Sequence, residues 1–142
     1  MIRYTFLNEA QFLSILDLEG QITGLYRSNG WWGAGPDDPE LIRRIVKGSH
    51  CFITAEENDR VIGMGRAISD GASDAYIQDV TVVPDHRGRG IGSEMIRRIV
   101  ARLEAGGVHW IGLIAEKNSH PFYESLGFLP MADAIPMLKG GV

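Results

Sequence analysis

The sequence contains one cysteine, Cys51, so no internal disulfide can form. It lies in "SHCFITA", which reads as a buried strand and makes the thiol a small core group rather than a nucleophile. No apolar run is long enough to span a bilayer, and "MIRYTFLNEA" lacks the basic start and continuous apolar stretch of a secretory signal. A cytoplasmic protein without a membrane partner is the expectation. A basic excess is missing as well: the formal net charge is −4, which argues against a nucleic-acid partner and modestly favours cationic ones. There are no internal repeats, low-complexity segments or linkers. What is present, 142 residues with 44% apolar and 23% charged, fits one globular domain over residues 1–142.

The pattern along the chain is mixed. Residues 2–6 alternate like a short strand, and Asn8 stands as a helix cap with Phe12, Ile15, Leu16 and Glu19 following at helical spacing. "LYRSNGWWGAG" reads as a second helical segment running into a mobile loop. "PDDPELIRRIVKGS" carries acids at its start, Pro39 near the first turn and Gly48 at the end, the signals of a short helix. Two β-rich runs separated by "EEND" predict an antiparallel hairpin over about residues 51–68, and "AYIQDVTVVP" adds a strand stopped by Pro84. Met95, Ile96, Ile99, Val100 and Leu103 keep helical spacing until Gly106 and Gly107. "HWIGLIAE" is a further strand, "SHPFYESLGF" a short helix, and two last strands are expected around Pro130 and Pro136. The result is an α/β chain with one right-handed βαβ crossover near its middle.

That crossover contains "HRGRGIGSEM", residues 86–95. A strand ending at Pro84, a glycine-rich turn and a helix starting near Ile91 together form an anion site. The amides of a first helical turn are unpaired, the helix dipole adds partial positive charge, and glycine lets phosphate oxygens approach the backbone. A P-loop is excluded, because no lysine follows the glycines. A dinucleotide fingerprint matches at Gly88 and Gly90 but not at Ser93, and the unit lacks a second βαβ half. On the glycines alone, that reading and a plain tight turn both stay open.

Two segments resemble a known family. "RGRGIG", residues 87–92, is similar to the Arg/Gln-x-x-Gly-x-Gly/Ala signature of the GNAT superfamily of N-acetyltransferases, within "VVPDHRGRGIGSEMI". "NSHPFYESLGF", residues 118–128, looks like the same family's Asn-x-x-Ala-x-x-Phe-Tyr-x-x-x-Gly-Phe segment, here with Pro121 directly before the Phe-Tyr pair. The resemblance runs from about Ile2 to Leu138 and is weakest over residues 20–48. It implies the GNAT fold, a mixed, mostly antiparallel sheet of six to seven strands with helices on both faces and the fourth and fifth strands splayed apart. It implies acetyl-CoA, or another acyl-CoA, as donor and no metal. The pyrophosphate would lie on Arg87, Gly88, Arg89, Gly90, Ile91, Gly92 and Ser93, the pantetheine arm along Thr81, Val82 and Val83, and Asn118 and Tyr123 near the thiol.

Acetyl transfer to an amine needs a neutral amine, support for an oxyanion and a proton for the thiolate. A free backbone amide near Val82 suits the second task. Tyr123 suits the third, since a phenol of ordinary pKa about 10 is protonated at neutral pH and faces a thiol of about 8.5. Asp79 is the candidate base, with a purely structural carboxylate as its alternative, while His86, His109, His120 and Glu116 are weaker candidates for proton relay or channel lining. Tyr26, Trp31 and Trp32, with Asp37 and Asp38 close behind, suggest a lid over an aromatic or apolar amine, or a loop anchored in the core by tryptophan. "SNGWWG", "VIGMGRAISDG" and "IQDV" are similar to a GNAT branch containing plant chloroplast enzymes that acetylate arylalkylamines and protein lysines. The implied reaction is direct transfer from acetyl-CoA to a primary amine, small or on a lysine side chain. A noncatalytic acyl-CoA sensor is the alternative, and a homodimer through the tail strands is a further expectation.

Overall fold

The computed structural model describes residues 1–140, which form two compact units, Met1–Gly112 and Leu113 onward. The elements follow the order read from the sequence up to the fifth helix. They are β1 (Arg3–Phe6), α1 (Gln11–Ser14), α2 (Leu18–Ser28), α3 (Pro39–Gly48), β2 (Cys51–Glu57), β3 (Arg60–Ser69), β4 (Asp74–Val82), α4 (Ile91–Ala105), β5 (Trp110–Leu113) and α5 (His120–Glu124). The sheet order is β1-β2-β3-β4-β5, with the first four strands antiparallel and β5 parallel to β4 across the α4 crossover.

Local chemistry explains most of these boundaries. The β2–β3 hairpin turns on Asn58 and Asp59, both left-handed at φ 52 and 63, which suits the right-handed twist of the flanking strands. Asp38 caps α3 by accepting the Leu41 amide at 3.1 Å, with Pro39 preorganising the first turn. The helical spacing from Phe12 to Glu19 is interrupted: α1 ends at Ser14, Asp17 is left-handed at φ 49, and α2 starts at Leu18. Asp17 also explains Gly20, where a β-carbon would strike the Asp17 carboxylate.

Helices cover both faces of the sheet. On one face Ile15, Leu18, Ile22, Leu25 and Tyr26 of the α1–α2 segment join Ile42 and Val46 of α3 against Phe52, Val61 and Met64. On the other face α4 buries Ile91, Met95, Ile96, Ile99 and Leu103, a stripe at helical spacing. Gly63 and Gly65 admit that helix, because a β-carbon at Gly63 would meet Met95 Cε at 3.0 Å and one at Gly65 would meet Ile99 Cδ1 at 3.4 Å. Fully burying each such aliphatic side chain is worth about 1.5–3 kcal/mol.

The strand count differs from expectation. Among the described residues the sheet has five strands, and the two tail strands expected around Pro130 and Pro136 are turns and irregular chain. Both prolines lack the amide a ladder needs, and Asp133 is left-handed at φ 54.

Candidate functional site

The site in the first unit begins with an irregularity in β4. Met64 pairs with Thr81 and Arg66 with Gln78, so Asp79 and Val80 together stand opposite Gly65. This is a β-bulge, and it holds Asp79 in the left-handed region at φ 58. Asp79 Oδ2 accepts from the Tyr26 hydroxyl at 2.6 Å and from Arg66 Nε at 2.6 Å. Arg66 also donates from Nη1 to Ser49 Oγ at 3.3 Å. Both charged side chains are largely buried, at 17% and 20% exposure, so each needs the other. Burial, with the hydrogen bond and charge of Asp79, pushes the Tyr26 phenol well above its ordinary value. Asp79 is thus tied to α2 and β3, while its Oδ1 stays outside both bonds.

Beyond the bulge, Val83 donates to Ile62 O on β3 at 2.8 Å. Amides alternate along a strand, so the amide of Val82 points away from β3. The β5 ladder is short against β4, four residues against nine, and starts where Trp110 packs edge-on to Tyr76 with centroids 5.3 Å apart. Thr81 is buried and donates from Oγ1 to Asn29 Oδ1 at 3.0 Å, tying the end of α2 to β4.

The glycine turn follows a 3-10 turn over Pro84–His86. Gly88 and Gly90 both have left-handed backbones, φ 76 and 77, and Gly90 is the residue before α4. Backbone hydrogen bonds in this stretch stop at Arg87 N to Pro84 O and resume at Glu94 N to Gly90 O. The amides of Ile91, Gly92 and Ser93, in the first turn of a fifteen-residue helix, make no backbone hydrogen bond among the described residues and so lie open at the N-terminal end of α4. The two arginines have other partners: Arg87 Nε donates to Val82 O at 2.9 Å, and Arg89 Nη2 to Glu57 Oε2 at 3.3 Å. His86 Nε2 lies 3.0 Å from Glu57 Oε1, and Arg60 Nη1 donates to Asp85 Oδ2 at 3.2 Å.

The residues expected on the acceptor side are packed together. Trp32 stacks on Tyr26 with centroids 4.1 Å apart and 7° between planes, and Trp31 meets the same ring edge-on at 6.0 Å. Both tryptophan amides donate to Tyr26 O, and Tyr26 is only 3% exposed. Asp37 pairs with Arg27 at 2.6 Å and Asp38 caps α3, so the two acids already have structural partners. Tyr26 belongs to the core, and the tryptophan pair is anchored on it.

The second unit holds the other expected residues. Lys117 and Asn118 are consecutive left-handed residues, φ 53 and 58, leading into α5. Tyr123 lies edge-on to Phe122 at 5.0 Å and to Phe128 at 6.0 Å, and Phe128 N donates to Tyr123 O at 3.1 Å. Gly127, at φ 94, makes that return possible. Burial, and secondarily the Glu116 carboxylate, push the half-buried Tyr123 phenol above its ordinary value. Asn118, Glu116 and His120 are exposed, as is His109 in the first unit.

Residues 9–128 match the acetyltransferase (GNAT) family. The chain belongs to that family. Membership decides against the dinucleotide reading that the glycines had left open. An N-acetyltransferase, ycf52, of Gracilaria tenuistipitata var. liui is 34% identical over 141 residues, spanning 92% of this chain and 70% of that protein. Serotonin N-acetyltransferase 2, chloroplastic, of Oryza sativa subsp. japonica is 41% identical over 76 residues, 54% of this chain and 38% of that protein. The solved GNAT-family acetyltransferase from Streptococcus pneumoniae TIGR4 has the same fold, with a TM-score of 0.76 at 23% identity over 97% of this chain and 96% of that one. Three further curated relatives are matched over 28% to 56% of their length.

Sequence reasoning missed Arg66 and Glu57. Arg66 had a signal: a charge of opposite sign to Asp79 inside the neighbouring apolar strand. Glu57 had none, because its partners lie about thirty residues away and are joined to it only by the fold.

Proposed function

We propose that this GNAT chain transfers an acetyl group from acetyl-CoA to a primary amine by direct attack in a ternary complex. The observation that carries this reading is the set of open amides of Ile91, Gly92 and Ser93 at the start of α4, just beyond a strand whose Val82 amide points away from its β3 neighbour. Such amides suit a diphosphate, and the Val82 amide, turned away from β3 between Thr81 and Val83, suits the amide-bearing pantetheine arm.

In this reading the amine nitrogen attacks the thioester carbonyl, the C–S bond breaks, and the thiolate leaves. The Val82 amide donates to the carbonyl oxygen as negative charge develops there. The thiolate's proton comes from Tyr123, whose raised pKa keeps the phenol protonated throughout the neutral range while making it a weaker acid. The proton shed by the amine goes to Asp79 through Oδ1, directly or by a bridging water, with Oδ2 retained by Tyr26 and Arg66. The half-buried Trp31 and Trp32 provide the aromatic wall of the acceptor side. Acceptors in this reading are small arylalkylamines, polyamines and lysine side chains.

Thiol release from acetyl-CoA, measured against tryptamine, a polyamine and a lysine peptide, tests the proposal. Amine-dependent release supports it. Binding of CoA with no release for any of the amines would leave an acceptor outside the panel or an acyl-CoA sensor, and would shift the weight to the sensor.

A further inference from the structure

The glycines that open the phosphate site also weaken it. Gly88 and Gly90 lose more backbone freedom on ordering than other residues, and the loop between Arg87 and Gly90 has no internal backbone ladder to hold it. Its stability must come from contacts to other parts of the first unit. Three of these converge on the β2–β3 hairpin. Glu57, the last residue of β2, uses both carboxylate oxygens: Oε1 meets His86 Nε2 at 3.0 Å, and Oε2 accepts from Arg89 Nη2 at 3.3 Å. Arg60, the first residue of β3, reaches Asp85 Oδ2 at 3.2 Å.

The ring of His86 is nearly buried, with 11% of its side chain exposed, and its contact with Glu57 is partly buried. Its other nitrogen, Nδ1, is buried and lies 3.3 Å from Asp85 Oδ1. The hydrogen bonds of His86 and then Arg89 hold the Glu57 carboxyl below its ordinary value. One carboxylate thereby bridges the residue before the glycine turn and the residue between its two glycines.

Resting on the acetyl-CoA reading above, we infer that Glu57 is a positioning residue for the phosphate site, fixing the glycine loop through His86 and Arg89. Glu57 carries the same charge sign as the diphosphate, so it acts by ordering the loop and not by contact with the ligand. Arg89 then serves the loop first: its guanidinium is committed to Glu57, and the phosphates are left to the backbone amides. The catalytic groups are untouched by this device, so its effect belongs in donor affinity rather than in turnover.

The test is calorimetric binding of CoA to the wild-type chain, Glu57→Ala, Arg89→Ala and the double variant, with hydrogen exchange of the same proteins without ligand. Glu57→Ala should weaken CoA by about tenfold, the middle of the range for coupled contacts. The double variant should be no weaker than Glu57→Ala, because Glu57→Ala already removes the Arg89 contact together with that to His86. The KM for acetyl-CoA should rise while kcat at saturation stays within about twofold. Without ligand, exchange should quicken at the Val83, His86 and Glu94 amides, which are hydrogen-bonded on either side of the loop. Unchanged or tighter CoA binding by Glu57→Ala, or additive losses in the double variant, would overturn the inference. A wild-type chain that binds no CoA would instead overturn the donor reading. In that case the exchange measurement still decides on Glu57, and unaltered protection in Glu57→Ala would sink it.

Discussion

Arg66 Nε donates to Asp79 Oδ2 across 2.6 Å, joining the middle of β3 to the bulge of β4. The Tyr26 hydroxyl reaches the same oxygen from α2. Asp79→Ala leaves a largely buried guanidinium without its carboxylate and should cost about 3 kcal/mol of unfolding free energy. Tyr26→Phe keeps the ring stack and loses one hydrogen bond, for about 1 kcal/mol. Urea denaturation of both variants measures the difference, and equal losses would mean that the aspartate is not held by its charge.

Tyr123→Phe removes only the phenolic oxygen, while the ring contacts to Phe122 and Phe128 remain. Turnover with a reactive amine should fall by about a hundredfold, the lower end for general acid catalysis, with CoA affinity unchanged. Full turnover in this variant would take the proton transfer away from Tyr123.

Gly90 precedes α4 at φ 77, and a β-carbon placed there meets nothing within 4 Å. Any effect of Gly90→Ala is therefore backbone strain alone, about 1 kcal/mol, with a matching loss of CoA affinity as the loop shifts toward allowed angles. Thermal melting with and without CoA separates the two effects. An unchanged CoA-induced shift would show that the loop binds ligand in another conformation.

Trp32 contributes to packing as well as to the proposed acceptor wall. Trp32→Ala strips the stacked face of Tyr26 and should cost about 2–3 kcal/mol, below the full value for a buried tryptophan because Trp32 is half-exposed. Trp32→Phe should recover most of that loss. A stable Trp32→Ala with altered amine preference would assign the ring to the acceptor alone.

The Glu57 carboxyl sits below its ordinary value because of His86 and Arg89. A carboxylate depressed in the folded state adds stability that is fully present above its unfolded pKa, about 4.3, and is lost as pH falls through the lower folded value. Acid unfolding of Glu57→Gln should consequently show a shallower loss of stability below pH about 4 than the parent chain. Superimposable acid limbs would remove Glu57 from the ionic link.

The parts of the site legible in the sequence are those made by neighbours in the chain. Asp38 before Pro39 caps a helix, and the two glycines around Arg89 supply two left-handed residues before a helical stripe. "NSHPFYESLGF" carries the Phe-Tyr pair and the glycine that lets Phe128 return to Tyr123. Asp37 was legible as a charge but not as a partner, because Arg27 meets it only after α2 and the following loop fold back.

The sequence by itself determined the order of elements up to α5, the place of the glycine-rich turn and the family, because helix periodicity, strand alternation and glycine backbone freedom act within a few residues. Only the tertiary structure decided that Asp79 answers to Arg66, that Glu57 holds the glycine loop, and that Tyr26 is core. The bulge in β4 resets which residues face each other across β3, and the hairpin carries Glu57 to a loop about thirty residues away. Pairings of that kind depend on register and on the packing of distant elements, which no local pattern encodes. The tail shows the same limit from the other side: its apolar residues look strand-like, but Pro130, Pro136 and the left-handed Asp133 deny them a ladder.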